Sequence, residues 1–74
     1  MENYESGMRL PNGAVYIDSR QGERLGIVLG RLDGYWVTWE FRVDDPGSTY
    51  MGNYFSSLTN AVEDFDRRVE EVTS

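Results

Sequence analysis

Hydrophobic and polar positions alternate most regularly between Tyr35 and Val43. Successive side chains of a strand point to opposite faces. Tyr35, Val37, Trp39, Phe41 and Val43 therefore share one apolar face. Trp36, Thr38, Glu40 and Arg42 share the other, which is polar except for a single indole. The pattern predicts a strand that buries its odd-numbered residues and turns its even-numbered residues to solvent, with Trp36 left bare.

Shorter alternations flank it. Ala14 to Ser19 reads as a strand with Val15 and Ile17 on one face and Tyr16 and Asp18 on the other. Leu25 to Leu32 reads as another, with Leu25, Ile27 and Leu29 opposed to Gly26, Val28 and Gly30. Asp33-Gly34 between this segment and Tyr35 is a strong two-residue hairpin signal. Trp36 is expected to lie across Gly26 or Gly30, because a large ring can shield the backbone of a strand glycine. Met8 to Leu10 predicts a short edge strand, and Pro11-Asn12-Gly13 a turn. Asp44 to Ser48 has the composition of a loop. Thr49 to Phe55 predicts a further strand, with Tyr50 and Tyr54 on one face, Met51 and Phe55 on the other, and a bulge at Gly52.

The period changes after Ser57, a residue suited to accept a hydrogen bond from an orphan amide at a helix start. Leu58, Ala61, Val62, Phe65, Val69 and Val72 recur at helical spacing and predict an amphipathic helix over 58–72. Glu63 and Asp64 precede Arg67 and Arg68 by one turn, the favourable order for ion pairs along a helix. Short connections predict an antiparallel meander, and the helical stripe needs an apolar surface to cover. The expected class is α+β: a two-layer antiparallel β-meander of three to five strands, covered on one face by a single C-terminal α-helix. The covered face is expected to hold Val15, Ile27, Val37, Trp39 and Phe41. Residues 1–74 form one domain in this reading, with 1–7 loose and the sheet within 14–55.

Composition narrows the chemistry. The 74 residues include no cysteine and no histidine, which excludes thiolate chemistry and the commonest general base and metal ligand. Ser56 and Ser57 have no histidine or lysine to activate them. Asp44-Asp45 lacks the alternating acids and closing glutamate of a calcium loop. No enzyme, cofactor or metal site is expected. Thirteen acids against seven bases give a formal charge of −6. That balance disfavours direct contact with nucleic acid or anionic lipid and favours a basic protein partner, although acidity also serves solubility. No apolar run is long enough to span a bilayer, and Met1 to Leu10 carries Glu2 and Glu5 where a secretory signal has an apolar segment. A cytoplasmic location is expected.

Two surfaces remain as candidates for binding. Tyr16 and Trp36, joined by Tyr50 and Tyr54 and rimmed by Glu40, have the composition of an interface core on the uncovered sheet face. Glu63, Asp64, Asp66, Glu70 and Glu71 would line the outer helix and could imitate a row of phosphates. The expectation is a small non-catalytic protein-binding domain. One version is an inhibitor from a phage or mobile element, of the nucleic-acid-mimic or anti-CRISPR type, that occludes a basic enzyme surface. The alternative is a homodimer that packs through its aromatic sheet face.

Overall fold

A computed structural model describes residues 8–74. The segment 1–7, expected to be loose, lies outside the described residues. Strands β1 (Val15–Gln21), β2 (Leu25–Leu32), β3 (Tyr35–Arg42) and β4 (Asp45–Phe55) precede helix α1 (Leu58–Thr73). The strands form one antiparallel sheet in the order β1-β2-β3-β4, and α1 packs on one of its faces. This is the α+β architecture that the alternation and the terminal helical stripe predict.

The β2–β3 hairpin sets the geometry. Asp33 and Gly34 both take positive φ, 52° and 83°, as a two-residue turn matched to strand twist requires. The turn pairs Leu32 with Tyr35, and the register then runs without a slip to Leu25 and Arg42. Val28 consequently faces Trp39, whereas Ile27 faces Glu40 and Leu29 faces Thr38. Leu29 and Ile27 thus share a face with Trp36, Thr38 and Glu40, not with Val37, Trp39 and Phe41.

The helix follows Ile27 and Leu29. Ala61 and Phe65 form a core cluster with them, against which Ile17, Trp36, Phe55, Val69 and Val72 pack. The expectation that α1 covers Val37, Trp39 and Phe41 is therefore corrected: it covers the even-numbered face of β3. The physical reason is register. A strand with two buried faces cannot be oriented from its own alternation, and its neighbour's pairing decides.

The odd-numbered face of β3 is buried by other means. Val37, Trp39 and Phe41 form a second cluster with Leu10, Ala14, Tyr16 and Val28. Leu10 and Ala14 belong to a tight hairpin in which Leu10 N–H donates to the Ala14 carbonyl and Tyr16 N–H to the Met8 carbonyl. Asn12 reaches across to donate to Thr49 Oγ1 at 3.2 Å. Met8 to Leu10 therefore pairs with the start of β1, through an Arg9–Val15 bridge, and closes this face. The β3 face expected to lie under α1 is thus covered by this hairpin, and the face expected to stay open is covered by α1.

Irregular register bends the sheet. An extra residue, Ile17, enters β1 between the Tyr16–Gly30 and Asp18–Leu29 pairs. In β4 the Thr38–Asn53 and Glu40–Tyr50 pairs bracket Met51 and Gly52, which is the bulge expected at Gly52. Between the Phe41–Thr49 and Arg42–Asp45 pairs, Pro46, Gly47 and Ser48 are extra. The segment read as the loop 44–48 is thus mostly strand, and Val43 and Asp44 alone form the turn. Ser57 caps α1 as expected, its side chain accepting from Asn60 N–H at 3.4 Å. Among the described residues no helix is long and apolar enough to cross a membrane.

Candidate functional site

The four aromatic residues proposed as one surface do not share a face. Tyr16 is buried in the cluster opposite the helix, its hydroxyl paired with Ser19 Oγ at 2.9 Å. Trp36 lies half-buried against the helix-side cluster, with the Arg31 guanidinium 4.2 Å from its ring centre. Cation–π stacking of this kind screens an indole from water. Tyr50 stands opposite Glu40 and Tyr54 opposite Val37. The bulge between them puts the two tyrosines on different faces.

The glycine-shielding role falls to other rings. A Cβ at Gly26 would overlap the Phe41 ring, and a Cβ at Gly52 would stand 2.7 Å from Trp39 Nε1. Phe41 and Trp39, rather than Trp36, fill the space that the strand glycines leave. Phe41 faces Gly26 directly in the β2–β3 register, so a two-residue turn counted back from Asp33-Gly34 points to this pair.

Glu40 and Asp64 are not free surface acids. Arg68, only 6% exposed, projects from α1 under the helix and donates to the Thr38 carbonyl at 3.2 Å and to Thr38 Oγ1 at 3.1 Å. It also reaches Glu40 at 3.4 Å. Thr38 Oγ1 donates to Asp64 at 2.6 Å, and Asp64 further accepts from Asn53 at 3.1 Å and Arg67 at 2.6 Å. Buried polar groups need such partners, and this network is how Thr38, fully buried, tolerates its position beneath a helix. Burial pushes the Asp64 pKa upward. The hydrogen bonds from Thr38, Arg67 and Asn53 outweigh it and hold the carboxyl below its ordinary value.

The remaining helix acids divide sharply. Arg67 pairs with Asp64 and, at 3.0 Å, with Glu71. Glu63, Asp66 and Glu70 are exposed and form no ion pair among the described residues. Their spacing of three and four residues puts them on one flank of α1. Arg67, one turn from both Glu63 and Glu70, pairs instead with Asp64 and Glu71, and Arg67 and Glu71 line a shallow groove with Glu40, Met51, Gly52 and Asn53 of the sheet.

An exposed aromatic surface does exist, at Tyr54, which the sequence marks as a candidate, and at Tyr35, which it does not. Tyr54 (55% exposed) meets Tyr35 (48% exposed) edge-on at 5.9 Å and Trp39 at 6.5 Å. Met51, 67% exposed and with a left-handed φ of 54°, lies apart from them, at the groove that β4 forms with Arg67 and Glu71. That conformation is uncommon for a long side chain. From Pro46 through Val62 the chain has no charged residue. The uncharged run was the available sequence signal for this surface. Among the described residues no three acids converge to hold a metal ion.

No protein-family model, curated protein or solved structure matches this chain.

Proposed function

We propose that this chain is a small non-catalytic protein-binding domain that engages a basic partner, acting in the cytoplasm. The observation that carries the reading is the division of charge on α1. Glu63, Asp66 and Glu70 stand in one exposed line and pair with no cation among the described residues, while Arg67, their neighbour one turn away, is engaged by Asp64 and Glu71. Unneutralised carboxylates at helical spacing attract arginines and lysines and steer their approach. Of the five acids first considered, Glu63, Asp66 and Glu70 carry the contact. Asp64 is committed to the fold, and Glu71 is shared with Arg67.

The mechanism is occlusion: the acid line occupies a cationic groove on the partner and excludes its usual polyanion. An inhibitor of phage or mobile-element origin, of the anti-CRISPR or nucleic-acid-mimic type, is one biological form of this activity. The chain has no histidine, cysteine or lysine to serve as general base or nucleophile, which supports binding rather than catalysis.

The test is affinity capture from the native host with the wild type and with the triple variant Glu63→Lys, Asp66→Lys, Glu70→Lys, at low and high salt. The reading expects a basic partner that salt releases and that the variant fails to capture. Undiminished capture by the variant would contradict it.

A further inference from the structure

We infer that the outer edge of β4 docks a second copy of this chain by antiparallel strand addition, joining two four-stranded sheets into one. The inference rests on the proposed reading only in treating the chain as a binding domain; it does not use the acid line.

The two edges of the sheet are built differently. At β1 the Met8–Ala14 hairpin covers the start of the strand, and Asp18 and Arg20 follow as an exposed ion pair. Cover and charge are the usual protections of a strand edge. At β4 the backbone from Thr49 to Phe55 pairs with β3 on its inner side and with no strand on its outer side among the described residues. No charged side chain guards it, since none occurs from Pro46 to Val62.

Met51 gives the second observation. A residue in the left-handed region is cheapest as glycine, yet the bulge places a methionine there and leaves it 67% exposed. Backbone strain retained for an exposed apolar side chain points to a contact made by that side chain. The bulge confines regular pairing to the short runs on either side of it. Met51 on the helix side of the edge and Tyr54 on its other face then supply the apolar contact.

Charge selects the occupant. From Thr49 to Phe55 a basic protein or a nucleic acid finds neither an acid nor a cluster of cations on β4. A second copy brings an uncharged strand to an uncharged strand, which matters between two chains of charge −6. Two-fold pairing along β4 also sets the α1 helices side by side on one sheet face. On each copy the side of α1 turned toward β4 carries Arg67 together with Glu71. Glu63, Asp66 and Glu70 do not line the groove beside β4.

Sedimentation equilibrium from micromolar to millimolar concentration tests the inference. The wild type is expected to approach twice its 8.5 kDa mass. Met51→Lys and Tyr54→Lys, both at exposed positions, are expected to remain monomeric with an unchanged circular-dichroism spectrum. Hydrogen exchange distinguishes strand addition from side-chain contact alone: outward-facing β4 amides gain protection as the wild type is concentrated. A monomer throughout the range overturns the inference and leaves the basic-partner reading intact. A dimer that survives both lysine variants, or forms with no added protection in β4, also overturns it. Loss of dimerisation in Glu63→Lys, Asp66→Lys, Glu70→Lys would place the contact on the helix and contradict it as well.

Discussion

Gly26 and Phe41 show how closely single residues are matched. Their direct pairing leaves the ring lying where a side chain on residue 26 would stand. Gly26→Ala must move a fully buried phenylalanine or the strand beneath it. Overpacking of this kind destabilises by about 1–3 kcal/mol, so urea unfolding of the variant should show a lowered midpoint with little change in slope. Trp36 teaches the reverse lesson. Its place in the alternation marks it for solvent, but the Arg31 guanidinium on its ring and the helix-side cluster beneath it complete a half-buried site. The exposed aromatic groups are Tyr50 and Tyr54, as the sequence suggests, together with Tyr35. Tyr35 was hidden from sequence reading because it begins a strand whose odd-numbered members are otherwise buried.

At the scale of elements, much was legible. Alternation located β1 to β3, Asp33-Gly34 located the hairpin, Gly52 located the bulge, and Ser57 with the apolar stripe located α1. The face that α1 covers was not legible from β3 alone, because both of its faces are buried: one by apolar contact and the other by the Thr38–Arg68–Asp64 network. Counting pairs back from the two-residue turn sets Ile27 opposite Glu40, and that count contradicts a shared face for Ile27 and Trp39. Thr38 and Glu40 looked solvent-facing because their partners, Asp64 and Arg68, arrive from a distant helix. The docking of α1 therefore depends on an ionised Asp64. Its pKa is lowered in the folded state, so its contribution is fully present above the ordinary carboxylate value of about 4 and is lost as pH falls through the folded value. Thermal unfolding monitored from neutral to strongly acidic pH should show stability declining below that point. Asp64→Asn should be less stable at neutral pH and should show a shallower acid decline. An identical acid decline in the variant would remove Asp64 from this role.

For the molecule as a whole, the helix-covered face determines where its surfaces lie. With α1 over Trp36, Thr38 and Glu40, Arg67 and Glu71 border β4, and Glu63, Asp66 and Glu70 face solvent. The hairpin at Met8–Ala14 closes the second face and leaves β4 as the unguarded edge. Both the acid line and the strand-addition edge follow from that single arrangement. Two-dimensional NOE spectra that assign the two indoles test it most directly. The Trp36 ring should show cross-peaks to Leu29, Ala61 and Phe65, and the Trp39 ring to Gly30, Gly52, Ala14 and Tyr54. Cross-peaks from Trp39 to Phe65 and Ala61, with Trp36 showing none to the helix, would contradict it.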